Sequence, residues 1–553
     1  MSGGSSRRRR RADTILGRRG GVPETHWRDG YRRPVTSPST SRPSGLSRRA
    51  ALILGSASLA GLAAGCTDES NLPFVGSADA EAEDGARPAD SQTWPVTAPG
   101  DPAATSIAVS AALVGSSPAA VVIAPDAPAD VVTEASEVAV AAGVPCFVDS
   151  SDLAAELKRL GVEQVRLFPA SAPAASGSSS GTSDEAGWSE AVGALEHVDS
   201  LPDVTRRPLH PVVVTSPDLA AHAAALATVR AVLGADAVTT LTADDPREDA
   251  VVEALRAEDE AVLVVVGDGE HLTGESLAGA AMMAAGAQPL PTGGLLPLGG
   301  DRRMIALYGH PGTGALGLLG EQDVEGAIER VKGYVDDYAA VSDDQFMPAF
   351  EVIATIADSA AGEDGDYSSE GDPEMYRPWV DAAKGAGVYV LLDLQPGHTD
   401  FLTQAKIYEE LLKEPHVGLA LDPEWRLEPG QRHMEQIGHV EIDEVNETAA
   451  WLAELTRSNA LPQKVFMLHQ FQLQMLRDRD QLRTDLPEIV TVVHADGHGT
   501  PDLKQGTWGA IKADLPAGVL LGWKNFIDED TPTFTPQRTM TEVEPAPRFV
   551  SYQ

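Results

Sequence analysis

The chain has 553 residues, a formal net charge of −40 at pH 7 and 42% hydrophobic residues. This length is too great for one ordinary hydrophobic core, so two or three domains are expected. The acidic balance disfavours nucleic acid as a partner because phosphates would be repelled, and two cysteines alone, Cys66 and Cys146, exclude a disulfide framework.

Residues 1–66 have the pattern of a basic leader followed by an export signal. Thirteen arginines stand against three acidic residues in 1–65, and Arg48-Arg49 precede an apolar stretch of about fifteen residues that ends directly before Cys66. A basic region, an apolar core and small residues at its end are typical of an export signal. The stretch is shorter than the roughly 20 residues that a membrane-spanning helix needs.

The segment 62–66, with the sequence LAAGC, resembles the lipobox of bacterial lipoprotein signals, and the arginine pair resembles a loose twin-arginine signal. The resemblance implies that Cys66 carries a lipid such as palmitate, which anchors the mature protein to the cell membrane on its extracytoplasmic side. Whether export uses the general or the twin-arginine route stays open. Residues 1–45, which are rich in Arg, Ser and Pro, are predicted to be disordered.

Two polar segments follow that contain few large apolar side chains. Residues 67–105 are rich in Asp, Glu, Ala and Pro, and residues 170–187 are rich in Ser, Gly and Ala. Such segments bury too little surface to fold alone. The first is predicted to be a disordered linker between the lipid and the folded part, and the second a disordered loop.

Residues 106–299 alternate short apolar runs with Ala-rich helical segments, which predicts an α/β domain with parallel sheets. The predicted strands are 119–125, 143–149, the run VEQVRLF, 210–216, 236–242 and 261–268. Because the strand–helix order recurs, an internal repeat is expected. No Gly-rich phosphate-binding loop follows these strands, so no cofactor is predicted.

The stretch 119–168, with VVIA, AAGVP and ELKRLGV in its sequence, resembles the cell wall-binding repeat of the second type. That resemblance implies a module that binds the cell wall. A generic flavodoxin-like domain is the alternative, because the same motifs are also ordinary helix and strand sequences.

Residues 300–553 are predicted to form a TIM-like β/α barrel. Seven strand–helix units within about 250 residues match the size and rhythm of this fold. The final run RFVSYQ either closes the ring as an eighth strand or leaves the barrel incomplete. The seven predicted strands are 303–309, 347–357, 387–395, 416–422, 464–470, 488–494 and 518–524.

Polar side chains gather where these strands end, which is where barrel enzymes place their chemistry. Eight of the thirteen histidines follow residue 302, and five of those eight lie near a strand end. The residues predicted to bind substrate at these positions are Tyr308, His310, Gln395, His398, Trp425, His469, Gln470, His494, Trp523 and Lys524. The two tryptophans are predicted to stack on a sugar face.

The run HVGLALDPEW (416–425) places Asp422 and Glu424 at the end of an apolar strand. Strand alternation would point both carboxylates in one direction, and a buried pair of like charges raises one pKa so that a proton is held near neutral pH. Hydrolysis of a glycosidic bond needs one carboxylic acid to protonate the leaving oxygen and a second carboxylate to stabilise or attack the sugar.

This Asp-x-Glu resembles the motif at the fourth strand of chitinase-like and lysozyme-like barrel glycosidases. The resemblance implies that Glu424 is the acid, that Asp422 shares or orients its proton, and that Asp393 or Asp496 is an auxiliary carboxylate. The segments LLDLQPG, LALDPEW and FVSYQ also resemble a family of uncharacterised actinobacterial lipoproteins with glycosidase-like barrels.

The preferred hypothesis is a lipid-anchored envelope protein of a Gram-positive, GC-rich bacterium whose barrel hydrolyses cell-wall or extracellular polysaccharide. Asp-Pro-Glu is also a common turn sequence, so a non-catalytic glycan-binding protein is an alternative. A metal-dependent hydrolase is a further alternative, with His494, Asp496 and His498 as ligands, although Gly497 and Gly499 would break the alternation. No metal is predicted in the preferred hypothesis, and the glycan and the stereochemical outcome stay open.

Overall fold

The computed structural model describes residues 101–170, 188–204, 211–258, 261–269 and 271–553. The predictions for the leader, for Cys66 and for nearly all of the loop 170–187 concern residues outside this part of the chain. Helix α1 (Pro102–Leu113) begins inside the predicted linker, because Asp101 caps it by accepting a 2.8 Å hydrogen bond from the Ala104 amide. None of the described helices combines the length and apolarity needed to span a membrane.

Two small parallel sheets form the α/β part. The first has the strand order β2-β1-β3-β4 and the second the order β6-β5-β7. The strands are β1 (Ala119–Ile123), β2 (Cys146–Val148), β3 (Gln164–Phe168), β4 (Glu196–His197), β5 (Val212–Ser216), β6 (Val238–Thr242) and β7 (Val262–Val265). The helices are α2 (Ala129–Ala142), α3 (Leu153–Leu160), α4 (Glu190–Gly193), α5 (Ala223–Leu233), α6 (Asp249–Ala257) and α7 (Gly274–Gly286).

In both sheets the first strand lies between the second and the third, an order that a duplicated unit would produce. Val122 of the first sheet and Val214 of the second belong to one hydrophobic core, in which Val229 of α5 is also buried. Cys146 is fully buried in β2, and burial raises the pKa of its thiol. The internal repeat and the wall-binding role stay predictions.

The C-terminal part is a closed barrel of eight parallel strands. Strand β18 pairs with β17 and with β8, and β8 pairs with β9, so the ring has no free edge. The strands are β8 (Arg302–Gly309), β9 (Gln345–Ala357), β11 (Tyr389–Leu394), β12 (Val417–Leu421), β14 (Lys464–Gln470), β16 (Ile489–Ala495), β17 (Leu520–Asn525) and β18 (Phe549–Tyr552). The predicted barrel is confirmed, and its eighth strand comes from the run RFVSYQ.

Helices surround this barrel, and three short strands lie outside the ring. The helices are α8 (Val324–Ala339), α9 (Pro373–Ala386), α10 (Phe401–Ile407), α11 (Glu409–Leu412), α12 (Ile442–Ser458), α13 (Pro501–Ile511) and α14 (Pro536–Glu542). Strand β10 (Ser368–Glu370) pairs antiparallel with β9, while β13 (Val440–Glu441) pairs with β15 (Leu476–Arg477). The sequence did not predict these three strands.

The described residues belong to one compact unit. The α/β part contacts the barrel directly: the Arg247 guanidinium donates a hydrogen bond to the Pro487 carbonyl oxygen, and the Gln288 amide donates to the Ala460 carbonyl oxygen over 2.9 Å. Inside the barrel, apolar side chains such as Met347, Met467 and Phe549 form a closed core. Side chains nearer the carboxyl ends of the same strands are polar.

Candidate active site

Every barrel strand contributes a buried polar side chain to one cluster at the carboxyl end of the barrel. Each member lies within its strand or immediately after it, on the inward side that alternation along the strand defines. We call this the carboxylate–histidine cluster. Its members are Tyr308, Glu351, Asp393, Asp422, His469, His494, Asp496, Lys524 and Ser551.

His469 lies at the centre of the cluster and contacts three carboxylates. Its Nε2 is 2.7 Å from Oε1 of Glu351 and 3.8 Å from Oδ1 of Asp393, while its Nδ1 is 2.9 Å from Oδ2 of Asp496. Burial alone would lower the pKa of His469, but the negative charges of Asp393 and Glu351 and the hydrogen bonds to Glu351 and Asp496 raise it well above its usual range.

Glu351 is held between two imidazoles. Besides His469, the Nδ1 atom of His494 lies 3.8 Å from Oε1 of Glu351, and the Nε2 atom of His494 is 3.2 Å from the hydroxyl of Ser551. Burial alone would raise the pKa of Glu351, but the charges of the two histidines and the hydrogen bond from His469 lower it below its usual range. Burial lowers the pKa of His494.

Tyr308 connects Asp393 to Lys524. Its hydroxyl donates a 2.9 Å hydrogen bond to Oδ2 of Asp393, and the ammonium of Lys524 lies 3.4 Å from the centre of its ring. The amide of Gln395 donates to the Tyr308 hydroxyl over 3.4 Å. Burial raises the pKa of Asp393 to about 6, where the charge of Glu351 adds to the increase and the charge of His469 opposes it.

Asp422 and Glu424 lie at the end of the fourth barrel strand, but not in the predicted geometry. Strand β12 ends at Leu421, and a short 3-10 helix (Pro423–Trp425) follows. Strand alternation therefore accounts for Asp422 but not for Glu424, and the prediction that it orients both acids is wrong. Asp422 is buried in the cluster, while Glu424 is half-buried and reaches solvent.

The charges of these two acids nevertheless interact with each other and with the rest of the cluster. Burial and the charge of Glu424 raise the pKa of Asp422 well above its usual range. Burial and the charge of Asp496 raise the pKa of Glu424 to about 7, against the opposing charges of Lys524 and His469. Asp496 itself has a lowered pKa, because the hydrogen bond and charge of His469 outweigh the effect of burial. Glu424 thus gains and loses its proton near neutral pH, under the influence of a carboxylate, Asp496, whose pKa is lowered.

Two predicted substrate-binding residues point away from the cluster because they occupy outward positions of their strands. Trp523 is buried between Trp508 and Phe534, with ring centres 5.7 and 5.5 Å away, and its indole donates to Asn525. Gln470 donates to the carbonyl oxygens of Gln472 and Leu473. Trp523 therefore offers no face to a sugar, and Gln470 supports the following loop.

Three other predicted residues lie beside the cluster rather than in it. His310 accepts a 2.9 Å hydrogen bond from the Gly312 amide, and His398 stacks on Tyr367 with ring centres 5.4 Å apart. Trp425 is half-buried directly after Glu424 and contacts the ring of His433 edge-on. Of the three, Trp425 is the residue with an aromatic surface next to the candidate acid.

Glu351 and Ser551 belong to the cluster although neither was predicted as a site residue. Glu351 is a polar residue in a predicted apolar strand, but the sequence favours a residue that caps or braces the barrel over a site residue. Ser551 belongs to the last run, whose pairing the sequence left open. Strand parity is the signal that identifies both residues, since each is separated by an even number of positions from the inward-facing residues Ala349 and Phe549.

The alternative metal-ligand set of His494, Asp496 and His498 is not brought together in the structure. His498 is exposed, and its ring packs against Phe526 with the centres 5.6 Å apart, so it cannot join His494 and Asp496. Another set has its donor atoms within 4.8 Å of one another, namely Glu351, His469 and His494. Asp422, His469 and Asp496 form a second set with similar spacing, and His469 hydrogen-bonds one carboxylate of each set, Asp496 through Nδ1 and Glu351 through Nε2.

The comparisons with known proteins add little to this geometry. No model of a known protein family matches the chain, and no curated protein sequence matches it. Among solved structures, the chain is similar to a GH5-4 broad specificity endoglucanase from Clostridium longisporum, at 13% identity and a TM-score of 0.24, over 40% of this chain and 75% of that one. A likeness this weak carries no functional argument, and the resemblances to wall-binding repeats and actinobacterial lipoproteins stay predictions.

Proposed function

We propose that the C-terminal barrel hydrolyses glycosidic bonds, with Glu424 as the general acid and Asp496 as the second carboxylate. The observation that carries this proposal is the half-buried Glu424 carboxyl, whose pKa of about 7 follows from burial and from the charge of Asp496. A carboxylic acid that keeps its proton near neutral pH, next to an ionised one, is what protonation of a glycosidic oxygen requires.

Asp496 is proposed to act on the sugar ring from the side opposite the acid. The hydrogen bond of 2.9 Å between Oδ2 and Nδ1 of His469 fixes its orientation, while Oδ1 has no partner among the described residues. That free oxygen either attacks the anomeric carbon or removes a proton from the attacking water. Asp393 then serves as an auxiliary carboxylate whose charge favours the protonated form of Glu424, and Asp422 as the buried carboxyl whose pKa the charge of Glu424 raises.

A polysaccharide is the proposed substrate. Trp425 is half-buried beside Glu424, and an aromatic ring at that place can pack on the apolar face of a pyranose. Cell-wall and extracellular glycans are the proposed targets because the sequence predicts an exported, anchored protein.

The test is an assay of the full chain against a panel of purified cell-wall glycans and soluble plant and microbial polysaccharides. We expect new reducing ends from at least one glycan, released roughly 10²–10⁴-fold more slowly when the Glu424→Gln protein is used. Binding of that glycan to both proteins without cleavage by either would instead support the non-catalytic, glycan-binding alternative.

Activity is expected to fall as the pH rises above about 7. Glu424 donates a proton, so only its neutral form is active, and kcat/KM should drop about tenfold per pH unit above its pKa. The charged groups that shift this pKa are Asp496, Lys524, His469 and Asp393. A Lys524→Met variant loses a positive charge that favours the ionised form, so its alkaline limb should shift to higher pH. An alkaline limb at the same pH in both proteins would show that ionisation of Glu424 does not cause the loss of activity.

We further propose that Cys66 is lipidated and holds the protein on the extracytoplasmic side of the membrane, where the α/β part binds the cell wall. Support comes from the arginine pair, the apolar stretch and the LAAGC run at residues 62–66. Wild-type protein expressed in a Gram-positive host should incorporate labelled palmitate and sediment with membranes. A Cys66→Ala protein should incorporate none and appear in the soluble fraction, whereas equal labelling of both would contradict the anchor.

A further inference from the structure

Two histidines of the cluster each place one ring nitrogen atom near the same buried carboxylate. Nε2 of His469 is 2.7 Å and Nδ1 of His494 is 3.8 Å from the same oxygen, Oε1 of Glu351. All three side chains are fully buried. They come from strands β14, β16 and β9 of a closed barrel, so their relative positions are fixed by the sheet rather than by loops.

The other ring nitrogen atom of each histidine has a different partner. Nδ1 of His469 is 2.9 Å from Asp496, and Nε2 of His494 is 3.2 Å from the Ser551 hydroxyl. Histidines that bind metal ions almost always donate their second N–H to a carboxylate or another acceptor, which fixes the tautomer and the ring orientation. The two histidines have that arrangement, with their remaining nitrogens both facing Glu351.

Several buried polar atoms at this point have no hydrogen-bond partner among the described residues. They include Nδ1 of His494 and Oε2 of Glu351, and also Oδ1 of Asp393, which lies 3.8 Å from Nε2 of His469. A buried polar atom without a partner costs about 1–3 kcal/mol, so several at one place form a site that a bound ligand would stabilise. Because carboxylates outnumber the cationic side chains in the cluster, that ligand should be positively charged.

We propose that Glu351, His469 and His494 bind one divalent transition-metal ion within the carboxylate–histidine cluster. Two imidazole nitrogens and a carboxylate favour zinc, iron, cobalt or manganese over calcium or magnesium, which prefer oxygen ligands alone. Metal–ligand distances of roughly 2.0–2.2 Å place ligand atoms about 3–3.5 Å apart. The observed separations of 2.7 and 3.8 Å bracket that range, and Asp393 is the nearest further ligand.

The inference goes beyond glycoside hydrolysis and does not depend on it, since Glu424 is not a ligand. Within the site, the ion would take the place of the proton on Nε2 of His469 and leave Nδ1–H to donate to Asp496. Through this hydrogen bond from His469, the bound ion would fix the orientation of Asp496.

Metal titration of the full chain tests the site without reference to activity. Wild-type protein treated with a chelator and then titrated with Co²⁺ or Zn²⁺ in a calorimeter should bind about one equivalent, and the Co²⁺ form should show visible absorption bands of bound cobalt. Glu351→Gln and His494→Ala should each weaken binding tenfold or more. Ser551→Ala removes only the hydroxyl that contacts Nε2 of His494 and should weaken metal binding about 10- to 100-fold.

The controls separate this inference from the proposed function. His498→Ala changes an exposed histidine outside the cluster and should bind the metal as tightly as wild type, as should Glu424→Gln. Circular dichroism and thermal melts show which variants are folded. Absence of stoichiometric binding in the wild type would overturn the inference whatever the variants do, and so would wild-type affinity in a folded Glu351→Gln protein. Metal binding by a chain that cleaves no glycan would overturn the proposed function alone.

Discussion

Replacing Glu424 with Gln is expected to lower kcat/KM for a polysaccharide by roughly 10²–10⁴-fold, the usual contribution of a general acid. Gln has nearly the same shape as the neutral carboxylic acid but has no proton to give to the leaving oxygen. An alcohol leaving group needs that proton, because an alkoxide is a poor leaving group. Initial rates of reducing-end release from wild type and variant, at a pH below 7, measure the loss.

The loss should depend on the leaving group. For an aryl glycoside that releases a dinitrophenolate, the leaving oxygen is stable as an anion, so Glu424→Gln should reduce the rate of bond cleavage only slightly. Glu428→Gln is the matched control, because Glu428 follows in the same segment and is exposed; it should retain wild-type activity on both substrates. Equal losses of activity on the polysaccharide and on the aryl glycoside would show that Glu424 is not the proton donor.

Replacing Asp496 with Asn is the second large effect we expect, with a loss on the order of 10²–10⁴-fold in kcat/KM for every substrate. The amide oxygen of Asn can still accept the hydrogen bond from His469, so the fold and the imidazole orientation should survive. What is lost is the negative charge that attacks the sugar or activates the water. Rates on polysaccharide and on aryl glycosides should fall together, in contrast to Glu424→Gln.

The configuration of the wild-type product distinguishes the two possible roles of Asp496, because a nucleophile gives retention and a base gives inversion. In an Asp496→Ala protein, which leaves space for a small anion, added azide should restore cleavage of the aryl glycoside in either case. Asp502→Asn, at an exposed position in the first turn of α13, is the control and should leave the rates unchanged. A folded Asp496→Asn protein with wild-type activity would remove Asp496 from the mechanism.

The barrel could be predicted from the sequence because parallel strands buried on both faces appear as continuous apolar runs. The run 416–422 is an example, since nearly every side chain in it is buried. The eighth strand could not be assigned with the same certainty. It has four residues, and what defines it is pairing with β17 on one side and with β8, more than 240 residues earlier in the chain, on the other. Such pairing leaves no local signature.

The candidate site was only partly predictable because an error of one position reverses the direction of a side chain. Lys524 and Trp523 are neighbours at one strand end, yet Lys524 contacts Tyr308 inside the barrel while Trp523 packs outside it. Residue type suggested both, and only the pairing register distinguishes them. Asp422 and Glu424 show a different limit, because Pro423 ends the strand and begins a turn of 3-10 helix.

Hydrolysis in water enriched in heavy oxygen tests the central claim most directly. If the barrel cleaves glycosidic bonds with Glu424 as the acid, mass spectrometry of the wild-type products should show one labelled oxygen at each new reducing end, and the Glu424→Gln protein should give no labelled product above background. Labelled products formed equally by both proteins would contradict the assignment of Glu424. Intact glycans after incubation with the wild type, across the whole panel, would contradict the hydrolase itself.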